Sequence, residues 1–152
     1  MSGAVELAQE VAAARQRLIE FVVRCPADRW DTCPLADGDP RSVGVIVDHV
    51  ADAYEYIALW IGKLARNEAV EVNPTLVDEL NARHSAAVTA PARDGVIEHL
   101  QRSGDAIVAL VGSLAPDQLS VGDGRVARLA HIAAVHADAH RDELQAALGL
   151  TT

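Results

Sequence analysis

Arg125-Val126-Ala127-Arg128-Leu129-Ala130-His131-Ile132-Ala133-Ala134-Val135-His136-Ala137-Asp138-Ala139-His140-Arg141-Asp142-Glu143-Leu144-Gln145-Ala146-Ala147-Leu148-Gly149 is the stretch whose reading decides the fold. It holds neither proline nor glycine before Gly149, which predicts one long helix from about Arg125 to Leu148 with Gly149 as its C-terminal cap. At about 100° per residue, Leu129, Ile132, Ala133, His136, His140, Leu144 and Ala147 share one face. Two histidines therefore stand one turn apart on an otherwise apolar stripe and are expected to point inward. A buried polar group without a partner costs about 1–3 kcal/mol, so these imidazoles need partners.

Outward from that helix, the rest of the chain also reads as helical. Leu7, Val11, Ala14, Leu18, Phe21 and Val22 recur at three- and four-residue steps, predicting a helix from Val5 to about Arg24 that Pro26 stops. Residues 25–41, with Trp30, Leu35 and Asp37-Gly38-Asp39-Pro40, read as a loop. Ser42 is a good N-cap for a helix to about Arg66. Asn73-Pro74-Thr75 opens a shorter helix over 75–88, with Thr75 and Asp78 forming a capping-box-like pair. A further helix runs from about Arg93 to Leu114, and a turn follows through Pro116 and Gly122-Asp123-Gly124. No segment alternates convincingly as a strand and no repeat is present. The expectation is one all-α domain over residues 1–152, a four-helix bundle with an additional short helix.

Composition narrows the partners. Half of the 152 residues are hydrophobic but only 3% are aromatic, so Ala, Val, Leu and Ile must fill the core. The formal charge is -9, and Lys63 is the only lysine among 13 basic side chains. Such a chain repels phosphate backbones and anionic lipid, which argues against nucleic-acid and membrane partners. Arg15, Arg17 and Glu20 interrupt the first apolar segment, so the expected location is cytoplasmic. Cys25 and Cys33 lack a C-x-x-C spacing, and Cys25 reads as a small buried hydrophobe at a helix end.

The chemistry concentrates in three histidines. His49 shares its helix face with Val45, Ile46, Ala53, Tyr56 and Trp60, so it too is expected inside. His49, His136 and His140 together would offer three imidazoles and an open position, the pattern of a reactive rather than a closed structural metal site. Neutral imidazole suits zinc, nickel, copper or iron. The competing reading gives each histidine a carbonyl or carboxylate partner in a metal-free core. Ala137 stands where zinc proteases of the H-E-x-x-H type carry their glutamate, which disfavours proteolysis. His131, about 180° from His140, reads as a surface group; His84 reads as a satisfied buried residue or one lining a pocket mouth, and His99 as a boundary residue. Asp52, one turn after His49, could orient an imidazole or simply be solvated. Asp138, Asp142 and Glu143 read as a solvated acidic face.

Taken in order, these motifs resemble the DinB-like family of metal-binding four-helix bundles. Trp30 and Pro34-Leu35 precede Arg41-Ser42-Val43-Gly44-Val45-Ile46-Val47-Asp48-His49-Val50-Ala51-Asp52, similar to that family's W-S-x-x-E-x-x-x-H-x-x-D/E helix opening. Leu80-Asn81-Ala82-Arg83-His84 and the closing Ile132–Leu144 segment are similar as well. Arg41 departs from the usual tryptophan. The resemblance implies an up-down-down-up bundle, often a homodimer, holding zinc or nickel through His49, His136 and His140. It further implies a low-molecular-weight thiol such as mycothiol, used with an electrophile for S-transfer or for maleylpyruvate isomerisation. The sequence places no Lys or Arg to recognise the thiol and no convincing general base; a cation can itself favour the thiolate. Two other readings stand beside this one: a non-catalytic metal-binding or stress-response bundle, and a plain helical domain without metal.

Overall fold

The structure, a computed structural model, describes residues 3–150, and the outermost residues of the predicted domain, 1–2 and 151–152, lie outside them. Its helices are α1 (Ala4–Arg24), α2 (Val43–Ala65), α3 (Pro74–Ala87), α4 (Arg93–Gly112), the one-turn α5 (Pro116–Leu119) and α6 (Val121–Leu148). Among the described residues there is no strand, and no helix is long and apolar enough to cross a membrane.

Why each helix begins where it does can be traced to named groups. The first backbone N–H groups of a helix lack partners within it. At α2, Ser42 Oγ accepts from Val45 N at 3.2 Å, Thr32 O accepts from Val43 N at 3.0 Å, and Trp30 O accepts from Gly44 N at 3.2 Å. The loop is thus stapled to the start of the helix that carries His49. Gly44 makes this possible, because a Cβ there would lie 2.9 Å from the Trp30 ring. Trp30 Nε1 donates to Pro91 O at 2.9 Å, tying the same point to the start of α4. At α3 the cap is Asn73, whose Oδ1 accepts from Leu76 N at 2.9 Å, and not the expected Thr75. Pro74 occupies the first turn, where its missing N–H is no loss.

α5 was not expected, and neither was the end of α4 at Gly112. The predicted turn does exist: Gly122, Asp123 and Gly124 have φ of 63°, 55° and 80°. This left-handed segment lies inside α6 as bounded above, so its regular right-handed course begins at Arg125. Gly149 closes the helix at φ 68°, as the sequence predicts.

α1 packs against α4 and α6, and α2 packs against the same two helices, so the four long helices enclose one core. The predicted apolar face of α1 is buried throughout, from Leu7 to Val22, and Cys25 is buried at the end of that helix. α3 leans on α2 outside this ring and buries only His84. On α6 the deepest line is Val126, Ala130, Ala133, Ala137 and Leu144, while Ile132 is 50% exposed and Ala147 is exposed. The expected stripe is therefore rotated, and His136 and His140 lie along the margin of the buried face rather than at its centre. That margin is where a site can meet both the core and a cavity.

Candidate metal centre

α2 and α6 are neighbours, and their contact brings the three predicted histidines together. His136 Nε2 lies 3.1 Å from His49 Nε2 and 3.1 Å from His140 Nε2. One ligating nitrogen from each of the three residues can be chosen so that all lie within 4.8 Å of one another. The rings are nearly perpendicular to each other, at 83°, 86° and 83°, with centroids 4.6–5.3 Å apart. None is stacked; each presents an edge nitrogen to the shared centre.

Hydrogen bonding alone cannot satisfy this arrangement. A ring nitrogen carries one proton or one lone pair, so His136 Nε2 makes one good hydrogen bond and faces two neighbours. A cation accepts three lone pairs at once. Two nitrogens bound tetrahedrally at zinc distances would be about 3.4 Å apart, close to the observed spacing. The group could therefore hold a metal ion. Among the described residues no fourth His, Cys, Asp or Glu joins it.

The electrostatics favour lone pairs over protons. Burial, then the neighbouring imidazoles and Arg41, push His49 down to about 3. Burial, His140 and Arg41 push His136 down to about 4. His140 Nδ1 donates to Glu143 Oε1 at 2.7 Å; a carboxylate only accepts, so the proton sits on Nδ1 and a neutral ring keeps the lone pair of Nε2 for the centre. The sequence reading left Glu143 on a solvated face. It also placed no cation near the site, yet Arg41 is there. Its guanidinium is clamped by both carboxylate oxygens of Asp39, which it holds below the usual carboxylate range.

A second polar cluster adjoins the first. Asp48, one residue before His49, is 7% exposed; its Oδ2 lies 2.7 Å from His84 Nε2 and its Oδ1 lies 2.8 Å from His99 Nδ1. His99 Nε2 in turn lies 2.7 Å from Glu55 Oε1. Both nitrogens of His99 face carboxylates and must donate, so the ring holds two protons. The Asp48 and Glu55 hydrogen bonds outweigh burial and raise His99 to about 9. Burial would raise the Asp48 carboxyl, but the bonds from His84 and His99 hold it well below the ordinary range. The His84 ring is 5.8 Å from that of His49, and its Nδ1 is buried with no partner among the described residues.

His84 is thus a buried, carboxylate-bonded histidine that also lines a cleft with Asp52, Tyr56 and Arg83. His99, read as a boundary residue, belongs to this network. Asp52 makes no hydrogen bond to an imidazole of the triad, and burial raises its carboxyl. His131 is exposed and meets Glu10 at 3.1 Å, as a surface group should. Asp48 itself had a signal in the sequence: it interrupts the apolar run Val43–Val50, and a buried carboxylate needs partners from other helices.

A cavity of about 230 Å³ ends on His49 and His136. α3 supplies Val77 and Asn81 to its wall, α2 supplies Ala53, Tyr56 and Trp60, and α6 supplies Leu129 and Ile132. Burial pushes the Tyr56 hydroxyl up to about 12, so it stays a neutral donor. Comparison with family models, with curated proteins and with solved structures finds no match to this chain.

Proposed function

We propose that this protein is a DinB-like, up-down-down-up helical bundle that binds zinc or nickel through His49, His136 and His140. The observation that carries the reading is the convergence of three Nε2 atoms that cannot satisfy one another by hydrogen bonds. Three nitrogen donors leave a coordination position for a reactant, which favours chemistry over a closed structural centre. Bound there, the cation would lower the pKa of a low-molecular-weight thiol such as mycothiol, so that thiolate persists near neutral pH for S-transfer or isomerisation.

The chain's own residues supply the rest. Glu143 holds the His140 proton on Nδ1 and so fixes the ring's orientation. Arg41, paired with Asp39, bears on the centre and disfavours imidazolium at His49 and His136. The cavity gives one side of the centre a largely apolar wall. This departs from a non-catalytic metal-binding bundle, which needs no cavity ending on its ligands.

The test is elemental mass spectrometry on untagged protein, wild type beside His136→Ala. Near-stoichiometric zinc or nickel in wild type and its loss from the variant are expected. Thiol consumption with several electrophiles then follows. Metal absent from both proteins, with no uptake when zinc or nickel is added, sinks the proposal.

A further inference from the structure

We infer that the cavity ending on His49 and His136 is a binding site for a small, uncharged, largely apolar molecule. The inference deepens the proposed function by naming the class of the second reactant, and it rests on that reading for its chemistry. Three observations carry it. The wall is built from Ala53, Ile57, Trp60, Val77, Leu129 and Ile132, and no Lys, Arg, Asp or Glu lines it. At about 230 Å³ the space admits a substituted ring or a short branched chain, but not a sugar-bearing thiol in full. Its wall residues with polar groups, besides the histidines, are Tyr56, Trp60 and Asn81, whose Oδ1 is buried without a partner among the described residues.

Charge then narrows the class of reactant the cavity can take. Away from the His49–His136 end, where the proposed cation would sit, an anion in this cavity would lose its hydration and meet no cation in the wall. Arg41 acts on the centre but does not line this cavity. The cavity thus suits a neutral electrophile. Within the proposed function this favours addition of the thiol to an uncharged electrophile, its sulfur bonding to carbon and its proton passing to the adduct, over isomerisation of a dicarboxylate.

The experiment compares 4-fluorobenzyl alcohol with 4-fluorobenzenesulfonate, a weakly ligating anion of similar shape, on zinc-treated protein by fluorine NMR. The alcohol is expected to bind saturably and at least about tenfold more tightly than the sulfonate. Val77→Phe, at a half-buried position, and Ile132→Trp, at a half-exposed one, should each abolish that binding while zinc stoichiometry and helical circular dichroism stay unchanged. Equal or tighter binding of the sulfonate, no binding of either probe, or binding unaffected in a folded variant overturns the inference. Zinc stoichiometry on the same samples tests the metal centre separately: its failure with selective alcohol binding intact removes the centre and leaves the cavity assignment standing.

Discussion

Glu143 is an exposed carboxylate bonded to one histidine of the half-buried triad. It accepts from His140 Nδ1 at 2.7 Å and so, in a neutral ring, leaves the lone pair on the opposite nitrogen. Replacing it with glutamine keeps the size of the side chain but removes the charge that holds the proton and raises the basicity of the ring. Glu143→Gln should weaken zinc binding by about 10–100-fold, read by competition with a fluorescent chelator, with the helical content unchanged. An affinity equal to wild type would show that the carboxylate is only a surface neighbour. Glu143 was legible in the sequence as an acid three residues after a histidine, but that spacing does not distinguish a solvated pair from a carboxylate bonded to a ligand.

Among the helices, α3 is the one whose stability is most local. It has 14 residues, buries only His84, and touches the rest of the fold mainly through α2. With so little packing, its N-terminal cap carries unusual weight. Asn73→Ala should cost about 1 kcal/mol, seen as a lower thermal midpoint, while Thr75→Ala should leave the midpoint unchanged. The reverse ranking would restore the capping pair the sequence suggested. Because α3 carries Val77, Asn81 and His84, its loosening should also weaken ligand binding in the cavity before the four long helices respond.

For the molecule as a whole, the histidines impose opposite limbs on stability against pH. His49 and His136 sit at about 3 and about 4, below the ordinary value of 6.5. Below about pH 6.5 the unfolded chain takes up protons that these folded rings refuse, so metal-free protein loses stability as pH falls toward 4. His99 is raised to about 9, so its contribution is complete below 6.5 and is lost as pH rises through 9. Urea unfolding of chelated protein should therefore show a maximum near pH 6.5–7, and His99→Gln should flatten the alkaline limb. A midpoint that does not move between pH 6.5 and 9 in wild type would contradict the His99 assignment. Adding zinc should raise the midpoint, most at neutral pH, since a ligand of the folded state stabilises it and protons compete for the imidazoles.

The sequence by itself determined the all-helical class, the bounds of α1 and α2, the regular course of α6 from Arg125 to Leu148, the caps Ser42 and Gly149, and the choice of His49, His136 and His140. All of these are local or periodic signals: apolar spacing, a capping hydroxyl, a glycine at positive φ, two imidazoles one turn apart. The tertiary structure alone decided what lies around them. Asp48 gains its meaning from His84 on α3 and His99 on α4, separated from it by 36 and 51 residues. Arg41 reaches the centre because Trp30 and Thr32 pin its loop to the start of α2. The rotation of α6 that exposes Ile132 and sets the histidines on the margin follows from how four helices fill one core. A periodic pattern marks a face, but it does not say which neighbour that face will meet or which carboxylate will be waiting there.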